Sequence, residues 1–387
     1  MNAHPRGVSS ERSPTSSLKH VLFVSKPVVP PWNDSSKNLV RDLSLGVDRF
    51  HLHVMGTRSQ PAALRRDNVT WEPIYGDSGR FAPGLAQNAR ALTRVARPDR
   101  RAAIYHFFFA PNPATSGVLR SIMRFKSQLT VQTVCSVPRN LDAARSLLFT
   151  DRVIAVSDDT RRALEAAGVE NVRRIYPAVD PDRLAFSGPN PMAEELGLAG
   201  HPVVLFAGDI ELAGTPETLI ALVARITASM PEARVIVAAR DKNPSSAPAR
   251  ERLRRGLDEA GALGTVRLLA EVDRMDQLLA LADVVILPVP TLYRKMDIPL
   301  ILLEALANRT PIVVSDLPPL VELVSGGGGV SVPREDGVAA AQTIASLLAD
   351  RSKRDRLGDE GRRRVVEEFS LQAMARAYED VYTELLE

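Results

Sequence analysis

The chain has 387 residues, of which 45% are hydrophobic and 25% are charged. This composition is globular and the length corresponds to two domains, which excludes a disordered, collagen-like or disulfide-stapled chain. Cys135, the single cysteine, forms no disulfide within the chain, and no apolar run reaches the length of a membrane span. We therefore expect a cytoplasmic protein in which the polar residues 1–17 form a disordered tail.

The net charge of +3 conceals two electrically different halves. Residues 1–190 hold 27 Lys/Arg and 16 Asp/Glu, a net charge of +11, whereas the remainder holds 22 and 30, a net charge of −8. A basic half attracts anionic lipid, a phosphorylated substrate or nucleic acid, and the acidic second half argues against a simple nucleic-acid binder. The alternative is a set of solvated arginines without an anionic partner.

Short apolar runs alternate with longer amphipathic segments along the chain. The runs are continuous, as in strands of a parallel sheet that helices cover on both faces. They predict strands over 20–25, 51–55, 103–106, 129–133 and 152–157, and then over 203–207, 234–238, 266–269, 284–287 and 312–315. The predicted helices are 160–167, 216–230 with Thr215 as N-cap, 300–307, 337–350 and 371–386.

This order of elements predicts an α/β fold of two doubly wound units. The joint lies within residues 179–202, where the segment PDPDRLAFSGPNP supplies chain-breaking residues. We assign residues 18–185 to the first unit, 186–365 to the second and 366–387 to a last helix that packs back on the first. Ligands of such sheets bind beyond the carboxyl ends of the strands, so the cleft between the units is the expected site.

Two long segments carry a family pattern. The segment VIAVSDDTRRALEAAGVENVRRIYPAVDPDRL contains Pro177-Ala178-Val179-Asp180, which is similar to the Asn-Gly-Val-Asp turn of family 4 glycosyltransferases. The segment LADVVILPVPTLYRKMDIPLILLEALANRTPIVVSD resembles the donor-binding block of that family. The chain thus resembles the retaining glycosyltransferases of the GT-B fold, in which two Rossmann-like domains face each other across a cleft. The resemblance implies that the first domain binds an acceptor and the second a nucleotide-sugar donor.

The donor block also has an interpretation that is independent of the family. The strand VVILP leads through a loop into a helix that begins near Leu300, so the first backbone N–H groups of that helix are unpaired at the strand edge. An anion at such a helix start gains about 0.3–1 kcal/mol when exposed and up to about 2 kcal/mol when partly buried. We therefore expect the donor diphosphate against Ile298, Pro299 and Leu300. The resemblance implies that Glu304 holds the ribose hydroxyls, and the alternative is a surface carboxylate.

The donor block departs from the family at its first glutamate. Met296 stands where the family has this residue, which contacts the sugar. Asp297 is the candidate to replace it as an acceptor of sugar hydroxyls, and Lys295 and Arg294 are candidates to face the phosphates. The alternative for the two cations is a solvated loop pair.

A second departure removes two cations that stabilise the departing diphosphate in the family. Asp209, which we place in the donor site, and Ala213 occupy their positions in the segment AGDIELAGTPETL. Losing one preorganised donor to developing charge typically costs about 2.7–4 kcal/mol, so other cations must compensate if the chain is a catalyst. The candidates are Lys295 first, and then Arg294, Arg240 and Lys37.

The loop after the first strand lacks the Gly-Gly pair that many relatives carry. Asn33, Ser35, Ser36 and Lys37 stand there instead, in VVPPWNDSSKNLV. Small hydroxyl residues at a helix start still present N–H and Oγ donors, so we expect these residues to contact phosphate or acceptor. The alternative is an ordinary N-capped helix.

Histidines are the remaining candidates for chemistry. His106 ends the apolar strand AAIYH, and the resemblance assigns it to the reaction centre; the alternative is a buried core histidine. His51 and His53 form no metal site without further ligands, and no Cys/His cluster has zinc spacing. We expect no metal and no cofactor, since helix ends and cations stabilise the diphosphate in GT-B enzymes.

These observations predict a retaining, metal-independent glycosyltransferase that moves a sugar from a nucleotide-sugar donor to a hydroxyl acceptor. The acceptor is lipid-linked, a polysaccharide or a small-molecule glycoside, and the charge of the first half favours an anionic acceptor or peripheral contact with the inner face of a membrane. Nucleic acid is not an expected partner. The missing glutamate and cations leave a noncatalytic sugar-nucleotide-binding or scaffold member of the fold as the alternative, and a phosphorylase or epimerase as a third interpretation.

Overall fold

The computed structural model describes residues 18–32, 34–76, 83–183, 186, 188–292 and 295–387. The disordered tail predicted for residues 1–17 and the roles predicted for Asn33 and Arg294 lie outside these residues. Among the described helices, none combines the length and apolar character that crossing a bilayer requires.

The first lobe is built on a seven-stranded sheet in which every pair of neighbours is parallel. Its strands are β1 (Lys19–Val24), β2 (Phe50–Gly56), β3 (Val69–Pro73), β4 (Ala102–Phe107), β5 (Leu129–Val134), β6 (Arg152–Ala155) and β7 (Val172–Arg174). Its helices are α1 (Ser35–Gly46), α2 (Leu85–Ala96), α3 (Pro113–Met123), α4 (Ala144–Leu147) and α5 (Asp158–Ala166). The strand order β3-β2-β1-β4-β5-β6-β7 places the topological switch between β1 and β4.

The second lobe repeats the design on a six-stranded parallel sheet. Its strands are β8 (Val203–Ala207), β9 (Arg234–Ala238), β10 (Val266–Leu269), β11 (Val284–Leu287), β12 (Ile312–Ser315) and β13 (Gly329–Val332). Its helices are α6 (Pro191–Glu195), α7 (Thr215–Ser229), α8 (Ser246–Glu259), α9 (Met275–Leu281), α10 (Leu300–Ala307), α11 (Pro318–Val324), α12 (Gly337–Ala349) and α13 (Arg351–Glu368). The order β10-β9-β8-β11-β12-β13 again puts the switch beside the first strand of the lobe. The predicted α/β fold of two doubly wound units is confirmed.

The strands predicted from continuous apolar runs are confirmed where other elements cover both faces of the strand. Every residue of β8 and β11 is buried, which explains their continuous apolar sequences. Strands β3, β7 and β13 lie at sheet edges and were missed because their sequences VTWEP, VRR and GVSV contain no continuous apolar run. Gly214 rather than Thr215 caps α7, since its φ of 81° is a backbone conformation that glycine adopts without strain.

The last helix, α14 (Leu371–Leu386), returns to the first lobe and packs on α1. The Glu379 carboxylate accepts hydrogen bonds from the backbone N–H groups of Asp48 and Arg49, both at 2.7 Å. Tyr378 and Tyr382 are fully buried against the sheet. The helix therefore covers the face of the sheet at β4 and β5 and completes the first core.

His106 lies in this core. Its Nδ1 is 2.6 Å from the Tyr382 hydroxyl and its Nε2 is 2.8 Å from Thr133 Oγ1, which also contacts the Tyr378 hydroxyl at 3.0 Å. Complete burial lowers the pKa of His106 well below its usual range, so the ring is neutral. This placement corrects the assignment of His106 to the reaction centre, because the ring has no exposed surface and both nitrogens have protein partners.

The replacement Tyr382→Phe should destabilise the protein by about 1–3 kcal/mol, because it leaves Nδ1 of a buried histidine without its hydrogen bond. Denaturant unfolding measures this loss. Glu384→Gln on the same helix is the control: it breaks an exposed ion pair with Arg173 and should cost less than about 1 kcal/mol. Equal stability of Tyr382→Phe and the wild type would contradict a role for the network.

Candidate functional site

Four charged side chains meet at the carboxyl edge of the second sheet. Asp209 follows β8, Arg240 and Lys242 follow β9, and Lys295 precedes α10. The Asp209 carboxylate lies 3.2 Å from Lys242 Nζ and 4.0 Å from Arg240 Nε, and it is in direct contact with Lys295 Nζ. We call these four residues the cation cluster.

The cation cluster has a formal charge of +2, since one carboxylate faces three cations. The resemblance implies two cations where Asp209 and Ala213 stand, and the cations of this cluster come instead from the segments after β9 and before α10. All four side chains are largely buried, with exposed fractions between 13% and 22%. Burial lowers the pKa of Lys295 to about 8 and also lowers that of Arg240, so this charge is held in a poorly solvated place.

The first lobe faces the cation cluster with the start of α1. Asp34 forms an ion pair with Lys26 at 2.5 Å and interacts electrostatically with Arg240 and Lys295. It also caps α1, because its Oδ1 accepts the Lys37 N–H at 2.9 Å and the Ser36 hydroxyl at 2.8 Å. The carboxyl ends of β1 and β8 therefore open onto one cleft.

The sequence predicted ligand contacts for the α1 start, and the structure uses most of these groups locally. Ser36 Oγ is engaged with Asp34, and Lys37 Nζ donates to the Pro31 carbonyl at 2.5 Å. Ser35 is half-buried, and its hydroxyl has no hydrogen bond to a described residue. Ser36 and Lys37 thus match the alternative of an N-capped helix, and Ser35 remains a candidate.

The start of α10 carries no side-chain cap. The Leu302 N–H bonds to the Pro299 carbonyl at 3.0 Å, while the amides of Leu300 and Ile301 have no partner among the described residues. The side chains of Ile298 and Leu300 are buried, so this segment offers its backbone to the cleft. Unpaired N–H groups at a helix start attract an anion.

Glu304 lies one turn into α10 and is half-buried. Its carboxylate accepts no hydrogen bond from a described residue, and its electrostatic neighbours are Arg183, Arg41 and Asp42. Burial raises the pKa of this carboxyl. An accessible carboxylate without a hydrogen-bond donor, close to an open helix start, is available to a ligand.

Asp297 connects the lobes instead of facing a ligand. It is 3% exposed, and its Oδ2 accepts hydrogen bonds from Ser157 Oγ and Thr160 Oγ1, both at 2.5 Å. Its N–H donates to the Cys135 carbonyl at 2.9 Å. The expected contact between Asp297 and a sugar hydroxyl is therefore corrected: the carboxylate is buried and occupied by donors from the first lobe.

Glu322 of α11 completes this connection. Its two carboxylate oxygens accept the backbone N–H groups of Asp158 and Asp159, at 2.9 and 2.8 Å. Tyr176 adds a hydroxyl contact at 3.3 Å. We call the binding of Asp297 and Glu322 to the start of α5 the interlobe contact.

Sequence reasoning missed several of these residues. Lys242 lies two positions after Arg240 in AARDKN, and a search of strand ends for every cation would have found it. Glu322 and Thr160 carried no signal, since their contacts join segments more than 130 positions apart.

The replacement Asp297→Asn should change the pH dependence of stability. Burial raises the pKa of Asp297 to about 6 from its ordinary value of 3.8, so the folded state holds this proton more tightly than the unfolded state. The free energy of unfolding of the wild type should therefore fall, relative to the variant, by about 1 kcal/mol between about pH 5 and about pH 7.5. Denaturant titrations at the two pH values measure the difference.

Met296→Leu is the matched control for this measurement. It changes a neighbouring buried side chain that does not ionise. The difference in free energy of unfolding between this variant and the wild type should therefore be the same at both pH values. Parallel profiles for Asp297→Asn and the wild type would contradict a raised pKa.

Comparisons with known proteins identify the second lobe. Residues 192–364, most of the second lobe, match the family model described as glycosyl transferases group 1. The resemblance drawn from the motifs is confirmed at this level, while membership of family 4 stays a prediction.

Curated relatives show the same similarity over part of their length. The chain is 27% identical over 259 residues to the alpha-maltose-1-phosphate synthase of Mycolicibacterium smegmatis, covering 60% of this chain and 62% of that protein. It is 30% identical over 249 residues to the D-inositol 3-phosphate glycosyltransferase 2 of Catenulispora acidiphila, covering 61% and 57%. The alignments thus span about three fifths of these relatives.

Solved structures show the fold over nearly the whole chain. Anabaena Alr3699/HepE in complex with UDP and glucose has a TM-score of 0.75 at 18% identity, covering 95% of this chain and 99% of that one. The sucrose-phosphate synthase of Thermosynechococcus elongatus has a TM-score of 0.76 at 19% identity, with the same coverage. The fold of the chain is GT-B.

Proposed function

We propose that the chain is a retaining, metal-independent glycosyltransferase that transfers a sugar from a nucleotide-sugar donor to a hydroxyl acceptor. The observation that carries this proposal is the uncapped start of α10 beside the cation cluster. The family of the second lobe supports it, as do the neighbouring structure that binds UDP and glucose and the relatives named as glycosyltransferases. The second lobe would hold the donor and the first lobe the acceptor.

Each part of the donor has a complementary group in this site. The diphosphate would accept hydrogen bonds from the amides of Leu300 and Ile301 and face Lys295, Lys242 and Arg240. A charge-assisted contact is roughly twice as strong as a neutral one, and the surplus of +2 matches the two charges of a diphosphate diester. Glu304 would accept the ribose hydroxyls through its free carboxylate.

The chemistry requires one bond to break and one to form at the anomeric carbon. The bond to the diphosphate oxygen breaks, the acceptor oxygen bonds on the same face, and the acceptor proton passes to the departing phosphate oxygen. The cation cluster would stabilise the negative charge that develops on the diphosphate, a role that elsewhere falls to a divalent metal. The interlobe contact would keep the cleft closed so that water does not compete with the acceptor.

Charge favours an anionic acceptor. The first 190 residues have a net charge of +11, and the relative named D-inositol 3-phosphate glycosyltransferase 2 acts, by its name, on a phosphorylated acceptor. Phe125, which follows the end of α3, is 91% exposed, and the neighbouring Arg124 is exposed as well. This mixture of apolar and cationic groups supports peripheral contact with an acidic membrane surface.

Donor binding and nucleotide release test the proposal. The purified chain should release nucleoside diphosphate from one member of a panel of UDP-, GDP-, ADP- and dTDP-sugars. Glu304→Gln should lower the affinity for that donor by about tenfold or more, because charge-assisted hydrogen bonds are lost. Calorimetry and a coupled release assay measure the two effects. Glu367→Gln on the exposed side of α13 should behave as the wild type.

Two results would count against this proposal. Binding of a sugar nucleotide without release in the presence of any acceptor would favour the noncatalytic alternative. The absence of both binding and release across the panel would contradict a donor site at α10.

Lys295→Met tests the cation cluster through pH. Since burial lowers the pKa of Lys295 to about 8, the wild type should lose up to about tenfold in affinity for the nucleoside diphosphate between about pH 7 and about pH 9. The variant should bind weakly at both values and lack this step. Lys353→Met replaces a lysine of α13 outside the site. This control should retain the fall in affinity between the two pH values, so a loss of that fall in Lys295→Met is specific to Lys295. A step of equal size in Lys295→Met would contradict the assignment.

A further inference from the structure

A second cluster of ligand-type side chains lies at the opposite end of the first sheet. His20 is the second residue of β1, and His51 and His53 are the second and fourth residues of β2. The parallel register pairs His20 with His51, so that the three rings share one face of the sheet. One ligand nitrogen from each ring lies within 4.8 Å of the other two. We call these residues the histidine cluster.

Hydrogen bonds outside the histidine cluster orient two of its rings. His53 Nδ1 lies 3.1 Å from the Glu72 carboxylate, and His51 Nε2 lies 2.7 Å from Thr70 Oγ1. Since a carboxylate accepts only, His53 carries its proton on Nδ1, and its Nε2 lone pair points into the cluster. A histidine that donates one N–H to a carboxylate while the other nitrogen faces a metal is the usual arrangement in metal sites.

The third ring, His20, holds the proton that lies between two of the ligand nitrogens and that a bound metal would displace. His20 Nδ1 is 2.9 Å from His53 Nε2, and with the His53 proton assigned to Nδ1 the donor of this hydrogen bond is His20. Moving that proton to Nε2 of His20 frees the third lone pair without a net change in charge. Nitrogens bound tetrahedrally at 2.0–2.1 Å lie about 3.3 Å apart, so small side-chain shifts bring the three rings into range.

The surroundings permit a cation. Glu72 and Asp99 both form ion pairs with Arg94, and Asp99 and Arg101 interact electrostatically with His20, so carboxylates as well as cations lie near the rings. His20 and His51 are half-buried and leave an approach from solvent, whereas His53 is 7% exposed and fixed. We propose that His20, His51 and His53 form a Zn²⁺ site with water as the fourth ligand, distinct from the donor cleft.

Zinc here would tie β1 to β2 at the amino edge of the sheet. The strand ends that line the cleft lie at the other edge, so the metal takes no part in transfer and is compatible with metal-independent chemistry. This site does not rest on the proposed function, because its three ligands come from the first lobe alone.

The test is a zinc titration of the full chain without a polyhistidine tag. After removal of metals with EDTA, the protein competes with a chromophoric chelator for ZnCl₂. The wild type should bind one Zn²⁺ per chain, and His20→Gln, His51→Gln and His53→Gln should each weaken that site by at least about a hundredfold through the loss of a ligand. His201→Gln, which alters a histidine of the second lobe, should bind as the wild type.

Two further measurements separate a built site from general histidine binding. Glu72→Gln should keep the stoichiometry and weaken the affinity about 10–100-fold, because the carboxylate orients His53. Co²⁺ in the wild type should give the visible absorption of a four-coordinate ion. Circular dichroism of the metal-free variants establishes that they are folded.

Absence of stoichiometric zinc in the wild type, or equal affinity in folded His20→Gln and His201→Gln, would overturn the proposal. Neither outcome involves a donor or an acceptor, so the result is independent of whether the chain transfers a sugar.

Discussion

The relative position of the two lobes depends on how the start of α5 is satisfied. A helix begins with backbone N–H groups that have no partner within the helix. Here the first two belong to Asp158 and Asp159 and are bound by Glu322 of the second lobe. The hydroxyl of the N-cap Ser157, which binds the Thr160 N–H, donates in turn to Asp297. Opening the cleft would expose these N–H and hydroxyl donors to water. The same hydrogen bonds therefore cap the helix and hold the two lobes together.

The cation cluster collects its charge from three separate segments of the second lobe. Parallel strands end at one edge of a sheet, so the cations after β9 and before α10 reach the same volume as Asp209 after β8. Asp209 reduces the positive charge of the cluster, since its carboxylate neutralises one of the three cations. It also holds the cations together in the absence of ligand. A single carboxylate would repel an anionic ligand, and here three cations surround it and outweigh its charge.

The sequence predicted those features that a short window of residues determines. Continuous apolar runs identified the central strands, and α10 and α14 have the ranges that the sequence predicted. The sequence could not predict that Tyr382 would form a hydrogen bond with His106 in the core, since 276 positions separate the two residues. For the same reason Asp297 was taken for a ligand contact: its loop was placed correctly, but its partner Ser157 belongs to the other lobe. Position along the chain indicates an edge of the sheet, and only packing tells whether a side chain there is exposed.

The first sheet carries different chemistry at its two edges, and strand register is the reason. At the carboxyl edge the start of α1 faces the cation cluster of the second lobe, and Asp34 interacts electrostatically with Arg240 and Lys295. At the amino edge His51 and His53 were visible as a pair with too few ligands, and the third ligand comes from β1, 31 positions before the nearer of them, through the pairing of His20 with His51. A shift of one residue in that register would turn the ring of His20 to the opposite face. The apolar alternation that buries Val21 and Phe23 against α1 and α14 fixes the register, so the packing of one face determines which polar groups meet on the other.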